Sequence, residues 1–320
     1  MPAARPAGYA RQMHPTLADI RRAQARIAPH IRRTPLLRAD EPGLWLKLEN
    51  LQATGSFKAR GALHKLSTLD EAARARGLVT ASGGNHGAAV AFAGRQAGVP
   101  VTIYVPDNTA ELKRRKIQAF GAELMVRGHY FDEANEAALA RAEADGRTYI
   151  HPFDDPAVIA GQGTVALELL DDLPDVTTIL VAIGGGGLIS GIALAARAIN
   201  PGIRIVGIEP VGCPTLKTSL EAGVVTALER VDTRVATMAA RTTAAINLEI
   251  ARAHVAEIVL IEDDAMLEAA RHLWLTYGLA ADLSAAAGLA ALRTGAYRPG
   301  PDERLCALVC GAGDEGVAAG

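Results

Sequence analysis

Aromatic side chains make up only 4% of the 320 residues, and cysteine occurs three times, at Cys213, Cys306 and Cys310. Three cysteines without a Cys-x-x-Cys pair exclude a disulfide-stapled scaffold and fit a reducing, cytoplasmic setting. No sign of charge dominates: 33 Lys and Arg face 35 Asp and Glu, for a net charge of -2. That balance gives no electrostatic reason to bind nucleic acid or an anionic membrane. Residues 177–196 form a run of 20 without a charge, but four glycines at 184–187 interrupt it, so strand, loop and buried helix fit better than a membrane span. Residues 1–15 carry arginines and no apolar core, which excludes a secretory signal and leads us to expect a flexible tail. There is no Gly-x-Ser-x-Gly elbow for a hydrolase, and His14, His30, His64, His129, His254 and His272 lack metal-ligand spacing. What is abundant is alanine, glycine and aliphatic residue, 49% hydrophobic with 32 glycines, as in an α/β protein of one large or two ordinary domains.

Strand patterns at 78–81, 101–105, 124–126 and 149–150 alternate with helical patterns ending at 97 and spanning 110–120 and 132–144. Such alternation predicts a small doubly wound unit. Strands at 179–183, 203–208, 255–261 and 305–309 predict a second parallel sheet. Right-handed crossovers place ligand loops at the carboxyl ends of strands, where the loops at 82–87 and 184–187 fall.

The run from Leu46 to Lys58 ends an apolar strand in a glycine turn and delivers a lysine to a helix start. A cation there opposes the helix dipole, and the same field favours a neutral, nucleophilic amine able to form Schiff bases with carbonyl cofactors. Taken alone, the segment more often describes a surface lysine. Two loops add weight. Thr80 to Gly87 is a polar loop opening a helix, suited to an anion. Gly184, Gly185, Gly186 and Gly187 join a β-branched strand to a helix, so backbone N–H groups can close around a phosphate. Glu209 lies about where a dinucleotide site would place its acid, but the Gly-x-Gly-x-x-Gly spacing is missing, which leaves a nucleotide site the weaker alternative.

Together, Ser56-Phe57-Lys58, Ser82-Gly83-Gly84-Asn85-His86, Gly184 to Gly187, and His151-Pro152-Phe153-Asp154-Asp155 with Ile159-Ala160-Gly161-Gln162-Gly163-Thr164 resemble the serine/threonine dehydratase family. These are pyridoxal-phosphate enzymes of fold type II, similar to tryptophan synthase β. The likeness is collinear over residues 34–210, weakens over 211–260 and returns near the C-terminus. It implies two doubly wound parallel-sheet domains: a large cofactor-binding domain from residues 1–68 and 151–320, and a small α/β domain inserted at 69–150. It also implies a homodimer and an amino-acid substrate. By resemblance, Lys58 holds pyridoxal phosphate as a Schiff base and then takes the α-proton as general base. Loss of the β-hydroxyl of L-threonine or L-serine gives an aminoacrylate, which hydrolyses to a 2-oxo acid and ammonia. Gly184 to Gly187 and Leu188 would bind the phosphate, Phe57 would pack near the ring, and Asn85 would bond its 3-oxygen. Ser82, Gly83, Gly84, Asn85 and His86 would grip the substrate carboxylate. Cys310, by default a buried small hydrophobe, matches the position that faces the pyridine nitrogen, where a neutral partner suits β-elimination.

Four departures qualify the resemblance. Gly83 stands where the serine racemase branch has a serine. Thr215 supplies no charge to a divalent-metal site, which leaves Glu209 a possible ligand for a monovalent cation, or a surface or salt-bridged acid. Arg241, in Ala236 to Thr242, replaces a segment that usually reads Ala-Asp-Gly; it reads either as a ligand for a second carboxylate, pointing to 3-hydroxyaspartate, or as a solvated surface residue. Asp282 replaces the usual Glu near the ring. A β-replacement enzyme, and an amino-acid- or nucleotide-binding regulatory protein of the same fold, are the alternatives.

Overall fold

The computed structural model describes residues 14–317, and of the tail expected at 1–15 only His14 and Pro15 fall inside it; His14 bonds Glu249 at 3.0 Å. In chain order the elements are α1 (Leu17–Ile27), β1 (Leu36–Arg38), β2 (Leu44–Lys47), α2 (Lys58–Ser67), α3 (Glu71–Arg76), β3 (Leu78–Ala81), α4 (Asn85–Ala97), β4 (Val101–Val105), α5 (Glu111–Ala119), β5 (Glu123–Val126), α6 (Phe131–Asp145) and β6 (Thr148–Tyr149). There follow α7 (Pro156–Asp172), β7 (Thr178–Ala182), α8 (Gly187–Ile199), β8 (Arg204–Pro210), α9 (Thr215–Ala222), α10 (Ala245–His254), β9 (Glu257–Ile261), α11 (Asp263–Tyr277), α12 (Leu283–Arg293) and β10 (Leu305–Leu308). Among the described residues no helix is long and apolar enough to cross a membrane.

The strands form two sheets, one of six strands in the order β1-β2-β10-β7-β8-β9 and one of four in the order β5-β4-β3-β6. All pairings are parallel except β1 with β2. The sequence pattern does not predict β1, and the connection over residues 39–43 explains its direction: a crossover cannot be made in so few residues, so the chain turns back at Gly43, φ 72°, as a hairpin. β7 and β10 are buried at every position, as expected of central parallel strands covered on both faces. Residues 255–256, expected to open a strand, instead link α10 to β9, Val255 as the C-cap of α10, so β9 begins at Glu257.

Three helices set the geometry of the cleft between the sheets. A Cβ on Gly161 of α7 would stand 2.6 Å from Gly61 Cα and 2.7 Å from the Arg60 carbonyl oxygen of α2. A Cβ on Gly191 of α8 would stand 2.6 Å from Gly163 N and run into the Ile159 carbonyl oxygen, both on α7. α7 is therefore a spacer in backbone-to-backbone contact with α2 on one side and α8 on the other. The apolar face of α2 (Ala59, Ala62, Leu63, Leu66) packs with Leu78, Val90 and Ile103 in the core of the four-stranded sheet. The helix that begins with Lys58 thus packs on the smaller sheet, although the turn before it belongs to the larger one.

Candidate active site

Lys58 is the first residue of α2, and the turn before it is stitched to the end of β10. Ser56 pairs with Gly311 in an antiparallel bridge, Phe57 N donates to the Cys310 carbonyl at 3.2 Å, and Ala312 N donates to the Gly55 carbonyl at 2.8 Å. The Lys58 amine donates to the Pro152 carbonyl at 2.9 Å and lies 5.2 Å from the centre of the Phe57 ring. Part of the side chain remains accessible, but the amine itself is packed round, and burial pulls its pKa down to about 8 against a smaller opposing effect of Cys310. A fraction of the amine is therefore neutral and nucleophilic near neutral pH.

Phe153, next to Pro152, leads to the glycine run. A Cβ on Gly185 would overlap the Phe153 ring, one on Gly187 would stand 3.0 Å from Phe153 Cβ, and one on Gly184 2.8 Å from the Thr237 carbonyl oxygen. Gly186 adopts φ 97°, which L side chains rarely take. The Gly185 carbonyl is fixed by Asn247 Nδ2 at 2.9 Å and Thr243 Oγ1 at 3.0 Å. With that carbonyl tied back, the N–H groups of Gly187, Leu188 and Ile189 in the first turn of α8 have no intrahelical acceptor. A phosphate is the natural partner for them.

Asn85 opens α4, and its Nδ2 donates to Asp282 Oδ2 at 3.2 Å. Asp282 caps α12: its Oδ1 accepts from Ala285 N at 2.8 Å and from Ser284 Oγ at 2.6 Å, and that hydroxyl lies 3.5 Å from Cys310 Sγ. Burial raises the Asp282 carboxyl, opposed by these hydrogen bonds. Burial, reinforced by Asp282, pushes the Cys310 thiol far above its ordinary range, so it stays neutral.

The loop from Ser82 to His86 is braced from within. Ser82 Oγ accepts from Gly84 N at 3.2 Å, and the His86 ring meets the Ile150 carbonyl at 2.9 Å. Burial, with Lys58 nearby, takes His86 down to about 3, so it is neutral. A Cβ on Gly83 would come within 2.6 Å of Thr109 Cγ2, so a side chain at 83 requires Thr109 to move.

Two predicted residues lie in other settings. Arg241 is exposed, its Nε donating to the Leu228 carbonyl at 3.0 Å. Glu209 is neither a surface nor a salt-bridged acid: it is fully buried and caps α9 from outside, accepting from Leu216 N at 2.7 Å and Lys217 N at 3.0 Å. Burial raises it to about 7, against those backbone bonds. Among the described residues no group of three or more His, Cys, Asp or Glu comes together as a metal site. Thr243 and Asn247 lie in a segment with no motif legible in the sequence, and Ser284, two residues after Asp282, is not singled out by it either. Nor does the sequence assign His151 a role, although its Nδ1 accepts from Phe153 N at 3.3 Å and Asp154 N at 2.8 Å and shapes the loop that receives the Lys58 amine.

A family model described as pyridoxal-phosphate dependent enzyme matches residues 27–311. The chain belongs to that family. It is 38% identical over 283 residues to the L-threonine ammonia-lyase of Thermotoga maritima, covering 87% of this chain and 71% of the relative. Its fold is similar to maize serine racemase, with a TM-score of 0.90, 34% identity and 94% of each chain covered. It is also similar to a threonine deaminase of T.th., with a TM-score of 0.87, 38% identity and 93% of this chain and 98% of the other covered. The enzyme is therefore of fold type II and depends on pyridoxal phosphate. The residues present fit that cofactor. Ser56 Oγ beside Lys58, and Ser190 Oγ and Asn247 Oδ1 flanking the glycine run, are buried with no hydrogen-bond partner in the protein, as polar atoms awaiting a ligand would be.

Proposed function

We propose that the enzyme is an ammonia-lyase that converts L-threonine or L-serine to the corresponding 2-oxo acid and ammonia. The observation that carries this reading is the geometry that sets the Lys58 amine on the Pro152 carbonyl at 2.9 Å while Phe57 N, one residue before, bonds the Cys310 carbonyl at 3.2 Å, with burial keeping the Cys310 thiol neutral. When bound, pyridoxal phosphate supplies the carbonyl that Lys58 captures and the electron sink that acidifies the substrate α-carbon. The N–H groups at the start of α8 and along Gly184 to Gly187 would hold its phosphate. Asn85, aimed by Asp282, would bond the ring oxygen, and Cys310 would face the ring nitrogen without protonating it. The Ser82 to His86 loop would take the substrate carboxylate at the start of α4. Lys58, neutral when released, would remove the α-proton as the β-hydroxyl leaves.

The similarity to maize serine racemase supports a second reading, racemisation. That reaction needs a base on the opposite face, and Gly83 supplies none while Thr109 fills the space a side chain there would take. Arg241 is engaged with Leu228 on an exposed loop, which favours L-threonine and L-serine over 3-hydroxyaspartate. Likeness to the family also supports a cytoplasmic homodimer.

The test is to incubate the purified holoenzyme with L-threonine, L-serine and threo-3-hydroxyaspartate and to quantify 2-oxo acid, ammonia and the D-amino acid. Keto acid with equal ammonia from threonine or serine is expected, falling by about 10²–10⁴-fold in Lys58→Ala. D-amino acid without keto acid would select the racemase.

A further inference from the structure

The turn that feeds α2 is tied to the end of β10, and within the first turn of α2 Gly61 N donates to Gln162 Oε1 on α7 at 3.2 Å. Phe57 gives the helix no side-chain cap, and the turn before it holds Thr54, a β-branched residue, at φ 66° and Gly55 at φ 75°. Asn50 Oδ1, Thr54 Oγ1 and Ser56 Oγ are buried there without partners. The bonds to β10 and α7 fix where the turn lies, while a start without a side-chain cap leaves the orientation of the helix to its own side chains.

Support comes from Arg60, two residues beyond Lys58. Its side chain is 0% exposed, and all five N–H donors are used. Nε donates to Glu49 Oε2 at 2.8 Å, Nη2 to Glu49 Oε1 at 2.7 Å and Glu168 Oε2 at 2.9 Å, and Nη1 to Glu168 Oε1 at 2.7 Å and Thr164 Oγ1 at 3.1 Å. Lys47 Nζ, also fully buried, completes the cluster on Glu168 Oε2 at 3.0 Å, so two cations balance two anions. Burial alone would raise the Glu168 carboxyl; Arg60 and Lys47 outweigh it and hold the group below its ordinary value. Glu49 follows β2, while Thr164 and Glu168 lie on α7, so the guanidinium joins α2 to the end of β2 and the spacer helix at once.

A buried ion cluster is weak evidence for stability, because apolar residues of similar volume often do as well. Its distinctive product is orientation, since a planar fork bonded at every donor admits one arrangement. We infer that Arg60 is a positioning residue for Lys58, holding the first turn of α2 in the register that sets the Lys58 amine against the Pro152 carbonyl. The inference rests on Lys58 being the cofactor-bearing lysine.

Arg60→Lys keeps the charge and loses the fork. In the cofactor-free protein, the pH midpoint for the rate of pyridoxal phosphate uptake, which reports the free amine, is expected to rise by about half a unit or more as the amine leaves its buried place. kcat is expected to fall about 10- to 100-fold. KM is expected to stay within about threefold, because the Ser82 to His86 loop is untouched. Thr164→Val removes one of the five bonds, leaves both ion pairs, and should move midpoint and kcat the same way by less. If Arg60→Lys does not fold, Thr164→Val alone decides. Variants that melt earlier but keep the midpoint and kcat would overturn the positioning role and leave a structural one. Unaltered protein with no Lys58-linked absorbance would overturn the enzyme reading, and this inference with it.

Discussion

Lys58 puts a cation at the very first residue of a helix, where the helix dipole disfavours it. Burial lowers its pKa, against a smaller opposing effect of Cys310. Below about 8 the amine is mostly protonated and cannot attack a carbonyl, so the rate of cofactor uptake by the apoprotein should rise about tenfold per pH unit up to that point and then level. Following absorbance after mixing apoprotein with pyridoxal phosphate from about pH 6 to 9 would check this; a rise continuing toward the pKa of an ordinary lysine would mean that Lys58 is not so buried. The glycine turn, lysine and helix start are local and legible in the sequence, but alone they describe a surface lysine, and it is the loops at 82–87 and 184–187 that give Lys58 its weight. The bonds that aim Asn85 and keep Cys310 neutral are not legible, because Asp282 and Ser284 are brought to them from distant segments by helix α12.

At the scale of elements, α7 explains a stretch that carries no ligand chemistry of its own. Ile159 to Thr164 matters because Gly161 and Gly163 let α2 and α8 approach, and with them the lysine and the phosphate loop. Gly161→Ala would drive a methyl group against the Gly61 backbone, which cannot rotate away. Overpacking of that kind should cost about 1–3 kcal/mol, measurable by urea unfolding, while a loss below about 0.5 kcal/mol would show that the helices adjust freely. β1 illustrates the opposite limit. Two half-buried leucines and an exposed arginine make too short a pattern to read, and the hairpin exists because β2 offers an edge to pair with.

On the scale of the whole molecule, the cofactor would sit where both sheets contribute, against α8 and β10 of the larger and α4 of the smaller. A ligand that bridges two cores should stabilise the folded chain as one unit. Pyridoxal phosphate at about 100 times its dissociation constant should add about 2.7 kcal/mol, seen as a rise in melting temperature that is lost when the cofactor is stripped. No shift would place the cofactor elsewhere. The sequence by itself determined the alternation of strands and helices, the glycine run and the lysine, because each depends on residues near one another in the chain. Only the tertiary structure decided that Arg241 faces solvent, that Glu209 is spent on the N–H groups of α9, and that Arg60 is locked between Glu49 and Glu168. These outcomes rest on burial and on partners as far as 108 residues away along the chain, which no local pattern of residue types encodes.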